Sequence, residues 1–81
     1  MKIQVKLYAI CKEIAKTNQI EFDLQENGST KDLLNLLTNK YPEMEKIAPN
    51  IAFAINKTYV PSVTILKDND VVSIIPPVSG G

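Results

Sequence analysis

The feature that most restricts the fold of this chain is one long amphipathic helix in a sequence of only 81 residues. Its apolar side chains recur at spacings of three and four: Leu33, Leu34, Leu37 and Tyr41. That is the period of a helix that buries one face. Ser29 or Thr30 can cap its first turn, and Asp32 suits the positive end of its dipole. Pro42 cannot continue a helix, so this one ends near Tyr41.

Short segments with a period of two surround this helix. Apolar residues alternate in residues 2–8 and again in residues 19–24, which is typical of half-buried strands. Between them, Ile10 and Ile14 are four residues apart and predict a short helix over residues 9–16. Residues 43–50 form a connection with room for one helical turn anchored by Met44 and Ile47. Strands follow at residues 51–55, 58–60 and 71–75.

This order of elements predicts an α+β fold in which the long helix packs on one face of a mixed sheet. We interpret residues 1–75 as a β-grasp, or ubiquitin-like, domain whose first and last strands are parallel neighbours at the sheet centre. Residues 76–81 are predicted to form a flexible C-terminal tail that ends in Gly-Gly.

Charge and hydropathy exclude two classes of partner. Nine basic residues balance nine acidic ones, and the lysines are spread along the sequence, so we expect no binding to nucleic acid. The longest apolar stretches are only a few residues long, so we expect no membrane span. The N-terminus alternates polar and apolar residues and lacks the apolar core of a signal peptide, which predicts a cytoplasmic location.

The residue types also exclude most catalytic chemistry. The chain has no histidine and a single cysteine, Cys11, which rules out an internal disulfide, thiolate metal sites and catalytic triads. Cys11 follows Ile10 in a helical segment and is interpreted as a partly buried structural residue. Asp68 and Asp70 flank Asn69 in what is better explained as a turn than as a metal site. We therefore expect no enzymatic centre and no bound cofactor in this chain.

The C-terminal sixteen residues carry the most specific pattern. They read Leu66-Lys67-Asp68-Asn69-Asp70-Val71-Val72-Ser73-Ile74-Ile75-Pro76-Pro77-Val78-Ser79-Gly80-Gly81. This segment resembles the C-terminal signature of the MoaD/ThiS sulfur-carrier family, in which an acidic turn leads to a hydrophobic strand and then to Pro-Pro-Val-x-Gly-Gly. Within that family the likeness is greatest to the carriers that serve molybdopterin synthase. The segment departs from the pattern in two ways: Asn69 replaces a glycine, and Ile74 and Ile75 replace aromatic residues.

The resemblance implies a carrier that other proteins load and unload. An adenylating enzyme related to those that activate ubiquitin would use ATP and Mg²⁺ to convert the Gly81 carboxylate to an acyl-adenylate. A sulfur-donor protein would then leave a thiocarboxylate at Gly81. The tail would enter the large catalytic subunit of molybdopterin synthase and give its sulfur to cyclic pyranopterin monophosphate. The family also implies a heterotetramer, with two small subunits at opposite ends of a dimer of large ones.

The residues of the tail suit that role. A terminal carboxylate with a pKa of roughly 3.3–3.7 is ionised and needs external activation. Glycines lack Cβ atoms, so Gly80 and Gly81 can pass through a narrow channel. Six residues at about 3.3 Å each reach roughly 20 Å. The residues expected to thread into a partner are Pro76, Pro77, Val78, Ser79 and Gly80, and those expected at the partner interface are Ile74, Ile75 and Lys12.

Three other functions remain open at this point. A thiamine-pathway sulfur carrier uses the same terminal chemistry, although such chains are typically shorter and usually lack Pro-Pro-Val. A ubiquitin-like modifier would be conjugated to lysine side chains through Gly81. A β-grasp interaction module with an inert tail would keep its activity when Gly81 is deleted.

Overall fold

The computed structural model describes residues 1–77, and the predictions for residues 78–81 lie outside the described residues. In chain order the elements are β1 (Lys2–Leu7), α1 (Ala9–Ala15), β2 (Gln19–Asp23), α2 (Thr30–Lys40), two 3₁₀ helices (Pro42–Lys46 and Ala48–Asn50), β3 (Ala52–Ile55), β4 (Thr58–Val60) and β5 (Val71–Ile75). Every predicted helix and strand is present, with ends that differ by at most one residue, and the predicted helical turn after α2 is two short 3₁₀ helices.

The strands form one five-stranded sheet in the order β2-β1-β5-β3-β4. The first and last strands are parallel neighbours, with Val5 opposite Val72 and Leu7 opposite Ile74, and the other strand pairs are antiparallel. The mixed β-grasp sheet predicted from the sequence is therefore confirmed. β5 is the middle strand of the sheet and pairs with β1 on one side and β3 on the other. The chain therefore leaves the sheet from a strand that is paired along both edges.

The core lies between the inner face of this sheet and α2. Leu33 and Leu37 of α2 are completely buried, as are Ile3 and Val5 of β1. The remaining members of the predicted stripe, Leu34 and Tyr41, are partly buried against the same core. Met44 of the first 3₁₀ helix is also completely buried, so the connection between α2 and β3 closes one end of the core.

The capping of α2 resolves the choice between Ser29 and Thr30. Ser29 is the N-cap: its hydroxyl accepts the backbone N–H of Asp32 at 3.4 Å, and the Asp32 carboxylate accepts the backbone N–H of Ser29 at 2.9 Å. Thr30 is completely buried. Its hydroxyl donates to the carbonyl of Ser62 at 2.8 Å and accepts the N–H of Thr64 at 3.1 Å. Thr30 thus fixes the β4–β5 connection onto the start of α2.

We expect Gly28→Ala to lower the free energy of unfolding by about 1–3 kcal/mol, since overpacking of a close contact strains its surroundings. A Cβ atom at position 28 would lie 2.7 Å from Cδ2 of Leu24 and 3.0 Å from the carbonyl oxygen of Gln25. Denaturant unfolding of both proteins measures the difference. Glu26→Ala, an exposed change in the same turn, is the control and should stay within about 0.5 kcal/mol of the parent chain. Equal stabilities for Gly28→Ala and Glu26→Ala would contradict this packing.

Candidate functional site

The chain leaves the sheet at the end of β5, beside the start of α1. After Ile75, the ring of Pro76 is buried and that of Pro77 is exposed. A depression of about 520 Å³ adjoins this point, and its walls are Tyr8, Ala9, Ile10, Glu13, Ile75, Pro76 and Pro77. We name the group Tyr8, Ile10, Ile75, Pro76 and Pro77 the tail-root surface. It is an apolar surface at the point where the described chain ends.

Pro76 belongs to the domain more closely than the sequence indicated. The prediction placed it in a tail that starts at residue 76, whereas its ring is buried. Alternation explains this position, because Val72 and Ile74 are completely buried and Pro76 continues the same inward-facing series. An arm that reaches into another protein would therefore begin after Pro76.

The interface prediction at Ile74 is corrected by the structure. Ile74 is completely buried, and it lies opposite Leu7 on one side and Phe53 on the other. A side chain in this position contributes to the core and is not available to another protein. Ile75 faces the other side of the sheet opposite Ala52 and is half-buried, so it remains the accessible member of the pair.

Lys12 is exposed on α1 and lines a second depression, which shares Ala9 and Glu13 with the tail-root depression. This position leaves the lysine free to meet a partner that covers the tail-root surface. That contact stays a prediction.

Two residues of the tail-root surface were not identified from the sequence as site residues. Tyr8 is 46% exposed and Ile10 is 42% exposed. The spacing of Ile10 and Ile14 predicted the helix but not which of its residues are buried, and α1 turns Cys11 and Ile14 toward the core and leaves Ile10 exposed. The sequence did contain a signal for Tyr8. It follows Leu7 at a position where the alternation of the strand points the side chain outward, and an aromatic residue at such a position indicates a contact surface.

A sharp turn at Ala9 produces this arrangement. Ala9 has a φ of 50°, a left-handed conformation that costs a residue with a Cβ atom about 1–2 kcal/mol. The turn lets the strand change into α1 without a loop, and the carbonyl of Tyr8 accepts the N–H of Cys11 at 3.0 Å. Tyr8 is thereby held at the surface beside Ile75 and Pro76.

Cys11 is completely buried, and this burial raises the pKa of its thiol. A thiol that stays protonated is a poor nucleophile, because the thiolate is the reactive form. The structural role predicted for Cys11 is confirmed, and its burial is complete rather than partial.

We expect the raised thiol pKa to lower stability at alkaline pH. In the unfolded chain Cys11 ionises from about pH 8.5, whereas the buried thiol keeps its proton to higher pH. Above that pH the unfolded state binds fewer protons, so the free energy of unfolding falls as pH rises. Comparison with Cys11→Ala between about pH 7 and 10 isolates this contribution, since other groups titrate equally in both chains. Parallel pH profiles would contradict the assignment.

The acidic turn before β5 has a structural role. Asp68 accepts the backbone N–H of Lys2 at 2.8 Å, and Asp70 accepts that of Lys67 at 2.8 Å. Asn69 has a φ of 69°, the left-handed geometry expected at this position. The turn interpretation is confirmed, and the turn ties the start of β1 to the start of β5. Within residues 1–77, no group of three or more His, Cys, Asp or Glu side chains could hold a metal ion.

Four of the predicted site residues, Val78, Ser79, Gly80 and Gly81, lie outside the described residues. None of the helices in the described part of the chain is long and apolar enough to cross a membrane.

Comparison with known proteins gives a consistent assignment. Residues 5–81 match the model of the ThiS family. The chain is 37% identical to a molybdopterin synthase sulfur carrier subunit from Chlamydomonas reinhardtii, over 100% of both chains. Its structure is similar to the small archaeal modifier protein 1 from Methanosarcina acetivorans, with 30% identity, coverage of 99% and 96%, and a TM-score of 0.81. It also resembles a chain in the complex of subunits 1 and 2 of the molybdopterin-converting factor from Helicobacter pylori, with 26% identity, full coverage of both chains and a TM-score of 0.68.

Proposed function

The chain belongs to the ThiS family, and on that premise we propose that it is a sulfur carrier in the synthesis of molybdopterin, with Gly81 as the carrying residue. One observation carries this proposal. The likeness to the Chlamydomonas carrier subunit covers both chains completely, and the family match runs to the last residue, Gly81. The relationship therefore includes the terminal Gly-Gly on which carrier chemistry depends.

The chemistry proposed for Gly81 takes place in the active sites of other proteins. Its carboxylate oxygen attacks the α-phosphate of ATP on an adenylating enzyme that uses Mg²⁺, and pyrophosphate leaves. A sulfur donor then displaces AMP from the acyl-adenylate, which leaves sulfur in place of one carboxylate oxygen. The resulting thiocarboxylate supplies the sulfur that the large catalytic subunit of molybdopterin synthase transfers to cyclic pyranopterin monophosphate. This chain itself contributes no catalytic side chain.

The geometry supports delivery of the chain end to another protein. The exit point lies at the end of the central strand β5, and the buried ring of Pro76 holds it to the domain. Four residues follow Pro77, and at about 3.3 Å each they extend at most about 13 Å. A partner that receives Gly81 must therefore approach closely enough to cover the tail-root surface.

The main partner we propose is the large subunit of molybdopterin synthase. The Helicobacter structure is a complex of two subunits of the converting factor, and this chain resembles one of its chains over its full length. We place Tyr8 and Ile75 in the apolar contact with that subunit, with Lys12 at its border. The adenylating enzyme, the sulfur-donor protein and the heterotetrameric assembly complete the proposed set of partners.

The intact mass of the protein isolated from its own cells tests the proposal. We expect a fraction of the chains to be heavier by the mass difference between one sulfur and one oxygen, with the change located at Gly81. Cells without the adenylating enzyme should contain only the unmodified chain. An unmodified Gly81 in cells that are actively producing molybdopterin would refute the proposed function.

A second function is favoured by the Methanosarcina structure. That protein is a small archaeal modifier, and its likeness to this chain at 30% identity covers nearly the full length of both chains. The modifier function differs from the carrier function in its product, an amide between Gly81 and a lysine side chain. High-mass adducts in cell extract that disappear when Gly81 is deleted would favour it.

A further inference from the structure

Lysine side chains are concentrated around Tyr8 and Ala9, at the border of the tail-root surface, although the chain has nine basic and nine acidic residues. The wall of each of four shallow depressions contains Tyr8, Ala9 or both residues. Together these walls contain four of the nine lysines: Lys6, Lys12, Lys16 and Lys57. They contain one of the nine acidic residues, Glu13. We name these four lysines the lysine rim.

None of the rim lysines is in an ion pair within the described part of the chain. Lys12, Lys16 and Lys57 are exposed, and Lys6 is half-buried. Across residues 1–77 the structure shows one ion pair, in which the amino group of Lys2 lies 4.0 Å from the carboxylate of Glu21. The described walls of the tail-root depression contain no lysine, and the four lysines line the depressions next to it, on α1 or at its C-terminal end, on β1 and in the β3–β4 turn.

From the proposed function we infer that the lysine rim guides docking onto the large subunit of molybdopterin synthase, whose receiving surface presents an apolar pocket bordered by carboxylates. The apolar centre supplies most of the affinity, because its side chains lose water on binding. The rim lysines stay near solvent, where charge contributes to the association rate and to orientation more than to affinity. This inference rests on the function proposed above and assigns a chemistry to the surface that the partner must present.

Two features favour an acidic protein over a nucleic acid. The centre of the surface consists of Tyr8, Ile10 and Ile75, whose aliphatic and aromatic groups match a protein pocket better than a row of phosphates. On the same outer face of the sheet, Glu21 lies opposite Gln4 and Asp23 lies opposite Lys2. These carboxylates lie beside the start of β1, away from Tyr8 at its end, so a phosphate backbone that crossed the sheet would meet them, whereas a partner confined to the tail-root surface would not.

Two double variants with the same net charge test the inference. Lys12→Glu/Lys57→Glu changes the lysine rim, and Lys31→Glu/Lys46→Glu makes the same charge change at exposed positions that line none of the four depressions. Binding of each full-length chain to the purified large subunit from the same organism is followed by stopped-flow fluorescence. At about 50 mM salt we expect the rim variant to associate roughly 10-fold more slowly and the control variant to change less than about 2-fold.

Salt and dissociation give a second readout. At about 500 mM salt, where screening acts over a few ångströms, the association rates of the rim variant and the parent chain should differ by less than about 2-fold. The dissociation rate of the rim variant should stay within about 3-fold of the parent value. Equal effects of the two double variants, or an association rate of the parent chain that does not change with salt, would overturn the inference. Circular dichroism confirms that each variant is folded.

Failure of this inference can be told apart from failure of the proposed function. If the parent chain acquires sulfur at Gly81 and binds the large subunit, but the two double variants behave alike, only the lysine-rim inference is overturned. If the parent chain neither binds nor acquires sulfur, the proposed function itself is wrong.

A fluorescent single-stranded RNA is the remaining probe. Loss of RNA binding in the rim variant, with an unchanged rate toward the large subunit, would overturn the inference in favour of a nucleic-acid surface.

Discussion

A chain that carries one extra residue after Gly81, or that lacks Gly81, is expected to deliver no measurable sulfur while its domain folds as before. Each change moves the terminal carboxyl by one residue, about 3.3 Å, relative to the point where the chain leaves the sheet. A misplacement of about 1 Å costs roughly 100-fold in a positioned reaction, so we expect a loss of more than about 1,000-fold. The measurement is molybdopterin formation in a mixture of purified carrier, adenylating enzyme, sulfur donor and large subunit.

The controls separate chemistry from folding. The thermal unfolding midpoints of both length variants should equal that of the parent chain, because each change is made at the end of the sequence and leaves residues 1–77, which form the described domain, unaltered. Lys31→Gln, an exposed change on α2, should keep full delivery. Since the purified mixture contains no protease, an added residue cannot be trimmed. Normal molybdopterin formation by either length variant would remove Gly81 from the role proposed for it.

The second large effect is expected from Ile75→Asp, which should weaken binding to the large subunit by about 30- to 1,000-fold. Ile75 lies in the wall of the tail-root depression beside Pro76. A partner that covers this surface would enclose the new carboxylate away from water, and an unpaired charge in such a place costs about 2–4 kcal/mol. That free energy converts to the stated range of dissociation constants. Isothermal titration calorimetry measures it directly.

Ile65→Asp is the matched control for Ile75→Asp. Ile65 is 58% exposed, lies opposite Ser29 in the β4–β5 connection and is not part of the tail-root surface. The same substitution there should change binding less than about 2-fold, as expected for an exposed position outside the contact. Tyr8→Asp repeats the test at a position outside the strands and should lose affinity as Ile75→Asp does. Unchanged affinity in both tail-root variants would show that the large subunit binds elsewhere.

The same reasoning predicts weaker binding for Val78→Asp. Val78 lies outside the described residues, so its expected effect rests on its place in the tail sequence and not on a contact.

Local features of the sequence determined much of the fold. The stripe of Leu33 and Leu37, the stop at Pro42 and the alternation in β1 each depend on residues close together in the chain, and each was confirmed. The buried thiol of Cys11 and the turn at Asn69 could also be predicted, because one depends on its apolar neighbours and the other on a single backbone conformation.

The functional assignment from sequence depended on a chemical group rather than on a shape. The C-terminal signature and the Gly-Gly end indicate a sulfur-carrier family without reference to the fold. The match of residues 5–81 to the ThiS family confirms that the chain belongs to this family. The roles of Gly80 and Gly81 in threading and sulfur transfer stay predictions. They follow from the covalent structure of the chain end, which is the same in every conformation.

Only the tertiary structure decided which surface surrounds the exit of the chain. Alternation predicted that one of Ile74 and Ile75 faces inward without identifying which, and the sheet shows that it is Ile74, paired between Leu7 and Phe53. The spacing of Ile10 predicted a helix but not its exposure, and the turn at Ala9 exposes Ile10 beside the buried ring of Pro76. Lys12 and Lys57 are far apart in sequence, and they line two different depressions that share Tyr8 because of the strand order. Such proximity depends on long-range strand pairing, which no local pattern of residues encodes.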